Sequence, residues 1–341
     1  MPYEMRIDYQ VPVSSLPELK AAWLPADHCL ERWWLASYSA LQAGVEMHAP
    51  QTPLEMNVLE EVQTETAVTD DDALVAEAPV QETYPDHIHQ LPKGAGPGTF
   101  LHNILEDAAE LGFAEVAGNA DVSTELLNRR CRSDFWQPYQ QQLQAWLGVY
   151  LQTEFPLSAN GSRVRLADLT VYKAEPEFWF PAHGVDVLKL DQLVASQIQP
   201  QHGRPKLEKN TLNGMLKGFI DLVFEHNGKY YVADYKSNWL GDDDSAYHFA
   251  ALRDKILASR YDMQYVIYTY ALHKLLQVRL GDHYRYEEHV GGVVYLFLRG
   301  HRADSRGAFY DQVPYGLIAQ LDDLFTGKHA ANSTAEGVAH G

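Results

Sequence analysis

Apolar and polar positions along this 341-residue chain change period several times, and each change predicts an element. Phe100, Leu101, Ile104, Leu105, Ala108 and Leu111 recur at helical spacing, with Thr99 placed to cap. A second helix is expected over Ser133–Thr153. Residues 163–181 read as strands, with Glu175 and Glu177 beside Phe178, Trp179 and Phe180. Two runs rich in β-branched and aromatic residues then flank Asn227-Gly228. Arg260–Leu280 returns to a helical pattern. Val293–Leu298 is an unbroken apolar run, the mark of a strand covered on both faces. Leu317–Phe325 forms a last helix. Strands in the middle with helices before and after predict an α/β fold, a central mixed β-sheet flanked by helices. No internal repeat is present.

The Asn227-Gly228 step is the sharpest local signal. Both central residues of a type I′ turn need positive φ, and this pair supplies it. With those residues at the turn, Asp221 falls opposite Asp234, their Cβ atoms roughly 4.5–5.5 Å apart. Opposed like charges repel, so something positive must hold them, and a divalent metal ion with oxygen ligands is the obvious candidate. Lys236 lies two residues beyond Asp234 and projects from the same strand face. Asp-x-Lys is common by chance, and an edge hairpin can carry charge simply to resist aggregation. The run Phe219–Phe224, however, is apolar on both sides of Asp221, and a charge there is costly unless paired or metal-bound.

Charge changes the picture of the first third. The net charge of −19 argues at first against a nucleic-acid partner. Residues 43–97, however, hold eleven Asp or Glu and one Lys, so over half the excess sits in one segment. Rich in Val, Ala, Thr, Glu and Pro, that segment reads as an acidic flexible tether. Four domains of behaviour follow: 1–42 as the end of a preceding region, 43–97 as tether, 98–327 as the folded domain and 328–341 as a polar tail. Basic residues recur near and beyond the hairpin: Arg204, Lys206, Lys209, Lys217, Arg253, Lys255, Arg260, Arg299, Arg302 and Arg306. Cys29 and Cys131 fit no zinc spacing and read as reduced thiols of a cytoplasmic protein. No apolar run approaches the ~20 residues that span a membrane, and no signal peptide is evident. There is no G-x-x-x-x-G-K-[ST] phosphate loop, so the chain carries no ATP motor of its own.

Gly218-Phe-Ile-Asp221 through Asp234-Tyr-Lys236, followed by Gln264-x-x-x-Tyr268, resembles the RecB-type branch of the PD-(D/E)xK nucleases, whose core is restriction-endonuclease-like. Longer stretches carry the likeness further: Met215–Phe224, Asp234–Gly241, Arg260-Tyr-Asp262, Gly291–Gly300, Gly98-Thr-Phe-Leu-His102 and Trp34–Gln42. They look like the C-terminal nuclease domain of RecB subunits of RecBCD helicase-nucleases (exodeoxyribonuclease V), over roughly residues 30–327. The resemblance implies Asp221 and Asp234 as metal ligands, with His102 and the Tyr235 backbone carbonyl completing the set. It implies Lys236 as the group that positions the attacking water and stabilises charge on the phosphate. Gln264 and Tyr268 would support the site and touch DNA, or simply pack; Glu175 or Glu177 would add a carboxylate near the metal. The implied cofactor is Mg²⁺, one or two ions, with Mn²⁺ or Ca²⁺ also accepted. The implied substrate is single-stranded DNA fed from an unwound duplex, cut to leave a 5′-phosphate and a 3′-hydroxyl. Trp239, Tyr261, Tyr265 and Tyr268 are candidates to stack on its bases.

The implied partners are the RecC and RecD subunits and the RecA recombinase. RecB subunits begin with a long ATP-driven helicase that this sequence lacks, so Met1 is expected to mark a fragment or an internal start of a larger subunit. Two other readings compete. One is a scaffold that docks a partner or loads RecA without cutting; the intact Asp, Asp, Lys and His set argues against it. The other is a stand-alone nuclease, which has little use for a long acidic tether.

Overall fold

The computed structural model describes residues 34–37 and 88–327. A short strand, Trp34–Ser37 (β1), is followed from residue 95 by helices Ala95–Leu111 (α1), Phe113–Gly118 (α2), Ala120–Arg130 (α3) and Gln140–Leu151 (α4). Strands Phe155–Pro156 (β2), Arg163–Val164 (β3) and Tyr172–Ala174 (β4) lead to the long strand Glu177–Asp186 (β5). Helix Val187–Gln197 (α5) connects it to Thr211–Phe219 (β6), Leu222–His226 (β7) and Lys229–Lys236 (β8). Helices Phe249–Ala258 (α6), Tyr261–Leu280 (α7) and Tyr286–His289 (α8) precede Val290–Phe297 (β9), Ala308–Asp311 (β10) and Tyr315–Phe325 (α9).

The central sheet is mixed, in the order β10-β9-β8-β7-β4, with β8 and β9 parallel and the other pairs antiparallel. Beside it lies a sheet not expected from the sequence, β1-β6-β5. The hairpin forms as its turn chemistry requires: Asn227 has φ 53° and Gly228 φ 78°. His226 pairs with Lys229 and Leu222 with Ala233, so the register holds to the last pair of the ladder.

Alternation along β8 separates two cores. Tyr231, Ala233 and Tyr235 join α1 to α4 in one cluster, with Leu101, Leu105, Trp146 and Tyr150. Val232 joins the opposite cluster, with Met263, Tyr265 and Ile267 of α7 and Tyr295 and Phe297 of β9. A strand covered by helices on both faces explains why these runs lack a polar side.

Several boundaries differ from the expectation. Helix α1 starts at Ala95 after Gly94, and Thr99 lies inside it, its hydroxyl donating to the Ala95 carbonyl at 3.0 Å. The stretch 133–153 contains one regular α-helix only from Gln140. Helices α2, α3, α5, α6 and α8 were not expected. α2 has six residues, too few to show a period. α5 announces itself by its cap: the Asp186 carboxylate accepts from the Leu188 and Lys189 amides.

Residues 88–97, read as the end of the tether, are folded. Ile88 and Leu91 are buried in the helical cluster. The buried guanidinium of Arg299 donates to the carbonyls of Ile88, Leu91 and Pro92, and also to that of Ser237 just after β8. The remainder of the tether, 43–87, the tail from 328 and most of 1–42 lie outside the described residues.

Candidate active site

Strand β8 carries Asp234 and Lys236 on its α7 side. Both are buried, and the Lys236 ammonium lies 2.7 Å from a carboxylate oxygen of Asp234. The ammonium also sits 4.1 Å from the ring centre of Tyr261, the first residue of α7, and 5.4 Å from that of Tyr295 on β9. An aromatic face favours a cation, so three neighbours hold this charge in one place. Burial would lower the ammonium, but Asp234, Tyr261 and Asp221 together outweigh it and the group stays charged above its ordinary range. Burial pushes the Asp234 carboxyl up, Lys236 opposes that, and Asp221 adds to the rise.

Asp221 steps out of the β7 ladder by one residue. Its carboxylate accepts the Tyr235 amide at 2.7 Å, and its carbonyl accepts the Glu175 amide at 3.0 Å. Helix α1 delivers His102, whose Nδ1 lies 3.5 Å from the Asp221 carboxylate. The edge of the Tyr235 ring packs on the His102 ring at 5.9 Å between centres. Tyr235 thus ties together the strand bearing Asp234 and Lys236, the Asp221 carboxylate and the helix bearing His102.

His102, Asp221 and Tyr235 line a shallow cleft together with Glu106 and Glu175, while Asp234 and Lys236 are buried on the other face of β8. Glu106 was not foreseen; it lies one helical turn beyond His102, and that i,i+4 spacing was the available signal. Glu175 adopts a left-handed backbone, φ 44°, uncommon for a residue with a side chain. Burial, with help from Glu106 and Asp221, pushes its carboxyl up to about 7. Burial likewise raises Glu106.

Among the described residues, no group of three or more His, Cys, Asp and Glu is arranged to enclose a metal ion as it stands. His102 and Asp221 come together, while the third expected ligand, Asp234, is turned onto Lys236. The donor chemistry nevertheless suits a hard divalent cation. The Asp221 carboxylate and the His102 imidazole lie side by side, and the carboxyls of Asp234 and Glu175 are raised first by burial and further by the negative charge of Asp221.

Other expected residues fall elsewhere. Glu177 is exposed and ion-paired with Lys217 at 2.5 Å, so Glu175 is the carboxylate that reaches the cleft. Gln264 and Tyr268 are buried. The Gln264 amide donates to the Tyr268 hydroxyl at 3.0 Å and accepts from the Tyr295 hydroxyl at 2.9 Å. Through Tyr295 they brace the wall beside Lys236; neither faces solvent. Of the aromatic residues expected to stack on bases, Tyr261, Tyr265 and Tyr268 are core, and Trp239 is exposed. Of the basic residues, Arg204 and Arg260 form a buried network with Asp262 and Asp191, and Arg299 is buried on backbone carbonyls. Arg253 pairs with Asp254. Cys131 is a buried free thiol.

The model of the PD-(D/E)XK nuclease superfamily matches residues 80–338. Among curated proteins, the RecBCD enzyme subunit RecB of Escherichia coli (strain K12) is 42% identical over 242 residues, covering 70% of this chain and 20% of the relative. The same subunit of Haemophilus influenzae is 38% identical over 245 residues, covering 70% and 19%. That of Mycobacterium tuberculosis (strain H37Rv) is 28% identical over 270 residues, covering 69% and 24%. The chain therefore spans about a fifth of the length of the curated relatives it matches. Nucleases of this superfamily generally depend on a divalent metal. With its mixed sheet, its flanking helices and this match over most of its length, the chain belongs to the PD-(D/E)XK nuclease superfamily.

Proposed function

We propose that this chain is the Mg²⁺-dependent nuclease domain of a RecBCD-type helicase-nuclease and hydrolyses DNA phosphodiesters. The Asp221–His102 pair at the cleft and the Asp234–Lys236 pair on β8, linked through the Tyr235 amide, carry this reading. His102, Asp221, Asp234 and the Tyr235 carbonyl are the residues that would hold the ion. A bound Mg²⁺ lowers the pKa of its water and polarises the scissile phosphate. The chain's own part is positional and electrostatic. The Tyr235 and Glu175 amides fix Asp221 in place before substrate arrives. Lys236 keeps its proton on Nζ and offers N–H donors where charge develops on the phosphate, in a site screened from water by Tyr261 and Tyr295.

In the cell the activity would serve double-strand-break repair, recombination and degradation of foreign linear DNA. RecC and RecD would be the partner subunits, with RecA a further contact, and the helicase would lie elsewhere in the full-length subunit. The enzyme would work in the cytoplasm, where its DNA lies; no helix among the described residues is long and apolar enough to cross a membrane. Incubated with an end-labelled single strand, the protein is expected to cut in Mg²⁺ and to stop in EDTA. The products should carry 5′-phosphates that a ligase accepts. Cutting undiminished by EDTA, or 5′-hydroxyl products, would overturn the reading.

A further inference from the structure

The β5–β6 ribbon runs straight into the cleft. Beyond the last strand pair, Glu177 with Phe219, the backbone contacts continue: the Ile220 amide donates to the Pro176 carbonyl and the Glu175 amide to the Asp221 carbonyl. One face of this ribbon is core, carrying Phe180, Ala182, Leu212 and Leu216. The other face carries Glu177, Trp179, Lys217 and Phe219. Trp179 is 47% exposed, unusual for so large an apolar side chain in mid-strand. Trp179 and Lys217 are directly cross-strand partners. The Lys217 ammonium lies 4.6 Å from the Trp179 ring centre and 5.2 Å from that of Phe219. Phe219 closes β6 two residues before Asp221, and Lys217 lies two residues earlier on the same strand face, roughly 6.5–7 Å from Phe219.

We propose that this face is the track along which single-stranded DNA reaches the cleft, bases stacking on Trp179 and Phe219 and a phosphate on Lys217. The assignment rests on the nuclease reading above. Two features select the occupant. The face leads to the cleft through the hydrogen-bonded links Glu175–Pro176 and Ile220–Asp221, and it interleaves aromatic rings with a cation, the combination that binds single strands without regard to sequence. Glu177 fits the same picture as a brake. It holds Lys217 in an ion pair, and a phosphate must compete with it.

The test measures binding of a fluorescent oligothymidylate in EDTA, and hydrolysis of bis(p-nitrophenyl) phosphate in Mg²⁺, a substrate too small to reach the track. Trp179→Ala should weaken oligonucleotide binding by about 5- to 100-fold, with most affinity restored in Trp179→Phe. Lys217→Gln should weaken it severalfold, and Glu177→Gln should tighten it. Hydrolysis of the small ester should be unchanged in all four. If Trp179→Ala and Lys217→Gln bind like the parent while the ester is still cleaved, the track is wrong and the nuclease stands. Capture of this face by another protein segment would give that same result. If the parent hydrolyses neither ester nor DNA and binds no oligonucleotide, both readings fall together.

Discussion

Replacing Lys236 by alanine is expected to lower kcat on single-stranded DNA by about 10²–10³-fold, the usual loss when one preorganised donor to developing charge is removed. KM should move little, because the donor acts on charge that develops only in the transition state. The same substitution should destabilise the fold. Removing one partner of a buried ion pair strands the other, at a cost of roughly 3–5 kcal/mol before relaxation. Asp234 has an escape, since its carboxyl is already pushed up by burial and can take a proton instead. The activity loss should therefore exceed what unfolding explains. Single-turnover cleavage beside a urea titration separates the two, and a folded variant that cuts at the parental rate would remove Lys236 from the chemistry.

Arg299→Ala should produce the largest loss of stability without touching the cleft. The side chain is buried and supplies donors to four carbonyls, those of Ser237, Ile88, Leu91 and Pro92. Each buried acceptor left bare costs about 1–3 kcal/mol, partly relieved as the 88–92 segment peels off to water. A net destabilisation of ~3–5 kcal/mol is expected, read as a shift in the denaturation midpoint. Amide exchange should quicken first around Leu91, and Arg299→Lys should recover only part of the loss, because one ammonium cannot span the same acceptors. A midpoint within experimental error of the parent would show that this segment is held by burial of Ile88 and Leu91 instead.

The parts of the fold readable from residues were those set by neighbours in sequence. Asn227-Gly228 dictated its own turn, and two-residue periodicity then placed Asp234 and Lys236 on one strand face. His102 came from a resemblance, since nothing in a helical pattern distinguishes a ligand from a surface histidine. The rest depended on contacts across long stretches of chain. Ile88 looks like the end of an acidic tether until Arg299, 211 positions away, is seen to grip its carbonyl. Glu175 and Glu177 are equivalent by strand alternation. The left-handed turn of Glu175 breaks that alternation and sends it alone into the cleft. The basic residues misled because charge in a sequence carries no sign of burial: Arg204 and Arg260 look available for phosphates, yet they neutralise Asp262 and Asp191 inside the protein. Tyr261, an expected base-stacking ring, serves instead as the floor under Lys236.

The central claim is that Asp234, Lys236, Asp221 and His102 form one metal-dependent phosphodiesterase centre. The most direct test compares degradation of labelled single-stranded DNA by the parent and by Asp234→Ala, each in Mg²⁺ and each in EDTA, with folding verified by circular dichroism. The account predicts cutting by the parent in Mg²⁺ alone and none by the variant under either condition. A folded Asp234→Ala protein that degrades DNA in Mg²⁺ at the parental rate would contradict it.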